Sequence, residues 1–223
     1  MKLIHNDFIG IEFDFYNNQF INLVIENSKD FYEFTHQLYL QIEENQELGW
    51  VLSKDNKIES ISKNVLFIND YFNFDLNNKK INNLINQNIL EFFKERDYYK
   101  NFALINNEIS LLEQEILLNI DLPLICEKEF FYEDLIKLLE FKINENISFI
   151  EKIITYIDIF IKLKKIEIVC FVDIFSYLTK DEVSQLIKQL KYMEVSGFFL
   201  ENSVKLKLDD LKTVIIDNDF CII

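Results

Sequence analysis

The sequence predicts an α/β fold that carries a large helical insertion. Three observations predict it. First, Ile166-Glu167-Ile168-Val169-Cys170-Phe171-Val172 is a nearly continuous apolar run ending in Asp173, the pattern of a strand buried on both faces of a parallel sheet. Second, Thr179-Lys180-Asp181-Glu182 is a capping box, and the helix it opens is followed by an apolar Gly197-Phe198-Phe199-Leu200. Strand, helix and strand in that order make a βαβ unit, for which a right-handed crossover is expected. Third, apolar residues between positions 79 and 162 recur at helical spacing, with Pro123 the sole proline and no glycine.

The remaining elements follow in chain order. Residues 9–15 alternate apolar and polar, as a half-buried strand does, and Phe20–Ile25 forms a second run after a polar turn. The pair reads as a β-hairpin. Ser28 is placed to cap a helix over about 29–44, with Asp30 in its first turn and Phe31, Phe34, Leu38 and Ile42 on one face. Trp50–Leu52 and Val65–Ile68 are further strands. From Lys79 a stripe of Ile81, Leu84, Ile85, Ile89, Phe92 and Phe93 resumes as Phe102, Ile105, Ile109, Leu112 and Ile116. A single helix of about 40 residues, roughly 60 Å long, is expected there, ended by Asp121-Leu122-Pro123. Two more helices, over about 132–141 and 147–163, complete an elongated arm. Val214–Ile216 and Phe220–Ile223 are expected to close the sheet.

Composition bounds the function. Of 223 residues, 49% are hydrophobic and 27% charged, so a packed core is expected. The formal net charge of −15 opposes non-specific binding to phosphate unless the 23 basic residues gather on one face. Arg96 is the single arginine, so paired arginine contacts to guanine are poorly supplied and any DNA recognition should be largely independent of sequence. The three cysteines, Cys126, Cys170 and Cys221, are far apart and read as small buried hydrophobes in a reducing cytoplasm. The chain shows neither a cationic-then-apolar leader nor an apolar run of about 18 residues, and a soluble cytosolic protein is expected.

Most chemistries are unsupported. A phosphate-wrapping Walker A loop needs clustered glycines and a Gly-Lys pair, and the three glycines, Gly10, Gly49 and Gly197, precede Ile, Trp and Phe. Asp173 resembles the aspartate of a Walker B strand, but without that loop it reads better as a strand-end aspartate satisfying local backbone donors. His5 and His36 are 31 positions apart and no Cys-x-x-Cys pair exists, which disfavours zinc. Asp121, Glu127, Glu129, Glu133 and Asp134 cluster around the break after the long helix, an oxygen-rich stretch of the kind that suits Ca²⁺. Basic groups occur at Lys79-Lys80, at Lys94, Arg96 and Lys100 beside Tyr98 and Tyr99, at Lys162, Lys164 and Lys165, and at Lys205 with Lys207. Each can meet phosphate without reading bases, and each also reads as an ordinary solvated face.

Three stretches resemble one known family, the short-form accessory protein of type II-A CRISPR adaptation modules. They are Ile168–Thr179, an apolar strand followed by Phe-Ser-Tyr-Leu-Thr; Val214–Ile223, an acidic pair within a hydrophobic tail; and Phe20–Asn27 with the helix at Phe31–Tyr39. The resemblance implies a head like that of P-loop ATPases but without the Walker A motif, formed by 1–75 and 164–223. It implies an inserted helical leg at 76–163. It also implies a homotetrameric ring that takes linear double-stranded DNA by its ends, without catalysis, during spacer acquisition. Calcium near the hinge, the CRISPR integrase and the RNA-guided effector nuclease are the implied cofactor and partners. Asp121, Glu127 and Glu129 correspond to the family's acidic calcium-binding stretch, although Pro123, Ile125, Cys126 and Lys128 replace acidic or polar positions there. Lys79, Lys80, Lys94, Arg96 and Lys100 are the candidate DNA contacts. Two other readings stay open: a divergent nucleotide-dependent enzyme using Asp173, and a protein-only scaffold.

Overall fold

The computed structural model describes the chain except for Ile9, Asn17, Asn18, Arg96, Asp97, Glu127 and Lys128 and the side chain of Tyr99. The elements in order are β1 (Lys2–His5), β2 (Phe13–Asp14), β3 (Phe20–Ile25), α1 (Ser28–Glu43), β4 (Trp50–Lys54), β5 (Lys57–Glu59), the one-turn α2 (Ile61–Asn64), β6 (Val65–Ile68), α3 (Lys79–Glu95), α4 (Tyr99–Asn119), α5 (Tyr132–Leu139), α6 (Phe149–Lys164), β7 (Ile168–Val172), α7 (Lys180–Tyr192), β8 (Ser196–Glu201) and β9 (Lys212–Ile216). They fall into two compact units, residues 1–74 with 146–223, and residues 75–145. Helix α6, read from the sequence into the arm, belongs to the first unit.

The first unit is mixed α/β. Its main sheet has the order β6-β7-β8-β3-β9 with every pairing parallel, and a second sheet, β2-β1-β4-β5, is antiparallel. All positions of β3, β6 and β8 are buried. Alternation divides them between two faces. Ile21, Leu23, Ile25, Cys170, Phe198 and Leu200 share one cluster with Phe34, Leu38 and Ile42 of α1. Val169, Phe171 and Phe199 are fully buried on the other face, where Phe171 and Phe199, in register on neighbouring strands, stack at 5.1 Å. Helices α6 and α7 bury Ile153, Ile157, Val183, Leu186, Ile187 and Leu190. A sheet covered on both faces has no solvent side to keep polar, which is why β7 reads as an unbroken apolar run.

Capping follows local chemistry. Thr179 and Glu182 make the capping box of α7: the Thr179 hydroxyl accepts the Glu182 N–H, and the Glu182 carboxylate accepts the Thr179 N–H at 2.8 Å. These hydrogen bonds hold the Glu182 carboxyl below its ordinary range. At α1 the cap is Asn27, not Ser28; its side-chain oxygen accepts from Lys29 N and Asp30 N. The side-chain amide of Gln41 takes the place of a strand neighbour for Trp50, donating to its carbonyl at 2.8 Å and accepting its N–H at 2.9 Å. That pairing ties α1 to the antiparallel sheet.

Several expectations are corrected. The hairpin joining 9–15 to Phe20–Ile25 does not form. β2 pairs with β1, and β3 lies between β8 and β9. A six-residue strand buried at each position needs neighbours on both edges, and they come from the far end of the chain. Over the described residues, the expected 40-residue helix is two helices, with Tyr98 in a turn before α4 and its ring against Phe92 and Phe93. Phe220–Ile223 contributes one bridge, Ile216 to Ile222, rather than a strand. Of the three cysteines only Cys170 is buried, its thiol pushed well above the ordinary range by desolvation; Cys126 and Cys221 are exposed.

In the second unit, α3 packs with α5, and Phe102 of α4 meets Phe130 and Tyr132 at 5.9 and 4.7 Å. Asn77 joins the two ends of the unit, accepting the Ile143 N–H at 2.8 Å and donating to its carbonyl at 3.0 Å. Glu145 accepts from Leu76 N beside it.

Candidate functional site

Parallel α/β sheets present their ligand sites outside the carboxyl ends of the strands. In the first unit that edge holds a closed polar cluster. β7 runs into Asp173, whose backbone turns left-handed at φ 58°, and β8 ends at Glu201. Aspartate tolerates this region better than most residues. The Asp173 N–H still donates to the Leu200 carbonyl at 2.8 Å, so the β7–β8 ladder extends one residue beyond the strand. A 3₁₀ turn, Ile174–Ser176, follows.

Lys205, in the connection from β8 to β9, reaches into this edge. Its ammonium donates to an Asp173 carboxylate oxygen, to Glu201 Oε2 at 2.9 Å and to Ser176 Oγ at 2.7 Å. Ser176 in turn donates to the other Asp173 oxygen at 3.2 Å, and Glu201 Oε1 accepts the Phe175 N–H at 3.1 Å. Glu201 has no exposed surface. Its carboxyl is pushed up to about 7 by desolvation, opposed by the Phe175 N–H and Lys205 and assisted by the neighbouring Asp173 charge. Desolvation works against the Lys205 ammonium too, yet hydrogen bonds and charge from Asp173 and Glu201 outweigh it and raise its pKa. Asp173 therefore satisfies a lysine, not the local backbone donors expected of it. Sequence reasoning misses Glu201 and Ser176. The available signal is that β8, like β7, ends an apolar run on an acid.

The sequence-predicted DNA contacts lie in the second unit. Lys79 and Lys80 are exposed in the first turn of α3, Lys94 is exposed in its last turn, and Lys100 is exposed at the start of α4. Lys80 and Lys94, fourteen positions apart, are separated by about 21 Å along the helix and by only ~40° around it. Exposed Asn83, Gln87 and Glu91 continue the same face. Lysines thus stand at both ends of α3. Arg96 lies outside the described residues.

The predicted calcium ligands Asp121 and Glu129 lie in the second unit, in the stretch between α4 and α5. Asp121 borders a depression with Leu117, Asn119 and Pro123, whereas Glu129 lines another with Glu113 and Cys126, whose thiol donates to Glu113 at 3.2 Å. Glu127 lies outside the described residues. Among the described residues, which leave out Glu127, no three His, Cys, Asp or Glu side chains form a group able to hold a metal ion. Among them too, no helix is long and apolar enough to cross a membrane.

Comparison with known proteins adds the decisive observation. The family model described as CRISPR-associated protein (Cas_Csn2) matches residues 41–220, from the last turn of α1 through β9 to the C-terminal tail. No curated protein matches the chain. The match spans most of both units and includes β7, the α7 capping box and the acidic carboxyl edge. The chain belongs to the CRISPR-associated Cas_Csn2 family.

Proposed function

We propose that the protein binds the ends of linear double-stranded DNA, without cutting it, as a ring of four copies during acquisition of new CRISPR spacers. The family match over residues 41–220 is the observation that carries this reading. On it, the first unit is a P-loop-like head that has lost its nucleotide, and residues 75–145 are an inserted leg. The integrase and the RNA-guided nuclease of the same system are the partners that receive or select the DNA.

Two physical features support the DNA-binding part. Lys79 and Lys80 sit at the positive end of the α3 dipole, where basic residues weaken a helix and acidic ones would strengthen it. Two adjacent exposed ammoniums at that end add local positive charge that favours phosphate. Lys94 offers further charge about 21 Å along α3 from Lys80, the length of roughly six base pairs of duplex, and Lys100 adds to it from the start of α4. The Lys205 ammonium in the cluster of Asp173 supports a head that does not use this aspartate for nucleotide-bound metal. Calcium, where bound, would draw on Glu127 or on carboxylates of another copy besides Asp121 and Glu129; it would offset the acidic charge where copies meet.

A titration of a short linear duplex against salt tests the assignment. The affinity of the unmodified protein should fall steeply with salt. Lys79→Glu with Lys80→Glu should weaken binding and make the log–log slope shallower by about one for each phosphate no longer neutralised. An unchanged slope and affinity in that variant, and in Lys94→Glu with Lys100→Glu, would remove these lysines from the interface.

A further inference from the structure

The three N–H bonds of one ammonium meet three oxygen acceptors at the carboxyl edge: Asp173 Oδ1, Glu201 Oε2 and Ser176 Oγ. An ammonium has just three donors, so Lys205 is saturated. The remaining acceptors are occupied too, Asp173 Oδ2 by the Ser176 hydroxyl and Glu201 Oε1 by the Phe175 N–H. The Lys205 side chain is about one-fifth exposed, Asp173 about one-third and Glu201 not at all, so the cluster sits at the rim of the sheet edge with one acid fully buried. Its oxygen set, two carboxylates and a hydroxyl converging on one point at the end of parallel strands, is of the hard-donor type that divalent cations take.

We infer that Lys205 is a tethered cation: the chain fills its own carboxyl-edge cation site with an ammonium, thereby excluding divalent metal and fastening the β8–β9 connection to the β7–α7 connection. Two further features fit this role. Lys205 comes from the β8–β9 connection of the same chain, so the cation costs no diffusive encounter. Asp173 leaves its strand in the left-handed conformation, which turns its carboxylate out of the strand alternation and into the cluster. Burial pushes the Glu201 carboxyl up to about 7, opposed by the Phe175 N–H and Lys205. The charged groups facing it are Asp173 and Lys205. This inference goes beyond DNA binding and does not depend on it, since the lysines proposed to meet DNA lie on α3 and α4.

The test uses Mn²⁺ as the probe. Wild-type protein, Lys205→Met, and the double variant Lys205→Met/Glu201→Gln are titrated with MnCl₂ and followed by electron paramagnetic resonance and by thermal unfolding. Lys205→Met should gain one Mn²⁺ equivalent bound at least tenfold more tightly than any shared with the wild type, and Mn²⁺ should raise its unfolding temperature. The double variant should lose both effects. If Lys205→Met folds only when Mn²⁺ is supplied, the inference is equally supported. Failure of Lys205→Met to gain a Mn²⁺ equivalent overturns it. So does a variant that stays unfolded at every Mn²⁺ concentration, or equal gain in the double variant. DNA affinity of the wild type, read in parallel, reports on the proposed function separately.

Discussion

The two units dispose of their apolar side chains in opposite ways. In the first, strands β3, β6 and β8 are buried at every position and helices lie against the sheet. In the second, α4 spans 21 residues and none of its described residues is buried; Leu104, Leu111, Leu112 and Leu118 are 49% to 84% exposed. A helix is normally stabilised by packing one apolar stripe, and α4 leaves its leucines to solvent on several sides. The first unit thus has the interior of a self-sufficient domain. The second carries a surface whose composition suits contact with other macromolecules, in keeping with the proposed assembly on DNA.

Substitutions can break or sharpen that contrast. The largest effect belongs to the sheet: Phe198→Ala, at a position with no exposure in the α1-facing core, should cost about 3–5 kcal/mol in denaturant unfolding. The intermediate effect belongs to Glu201. Its folded pKa is raised to about 7 from an ordinary value near 4.5, so the native state holds more protons than the unfolded state between those values. Its contribution is therefore fully present below about pH 4.5 and is lost as pH rises through 7, by up to ~3 kcal/mol. Glu201→Gln should flatten the pH dependence of stability across pH 5 to 8; an unchanged slope would show that another group sets it. The smallest effect belongs to the arm: Leu111→Ala on α4 should change stability by no more than about 0.5 kcal/mol in the isolated chain. A destabilisation as large as that of Phe198→Ala would mean that α4 is packed after all and would erase the contrast.

Legibility in the sequence divides along the same line. β7 and the α7 capping box were legible because a doubly buried strand has no polar alternation and a capping box is a four-residue signal. β3 was legible as a strand but not in its pairing, since parallel partners arise from residues 196–216, far beyond the reach of local turn chemistry. The C-terminal cysteine misled for a related reason: an apolar tail reads as a buried strand, but Phe220–Ile223 has only one bridge to hold it and Cys221 stays exposed. At the carboxyl edge, Asp173 stood out as the end of an apolar run, while Lys205 looked like half of a solvated Lys205–Lys207 pair. Its role depends on a connection folding back 32 positions to Asp173, a distance over which sequence spacing says nothing. On α3, helical spacing does place Lys80 and Lys94 on one face, and sequence could have shown it had the helix boundaries been known.

Topology offers the most direct test of the central claim. A ring closed around a duplex can be entered only at a free end, so the decisive measurement compares binding of one DNA sequence as a linear fragment and as a covalently closed circle, with calcium and with chelator. Linear DNA should be bound and the circle should not, and cutting the circle once should restore binding. Equal affinity for the closed circle and its linear form would contradict threading by an end.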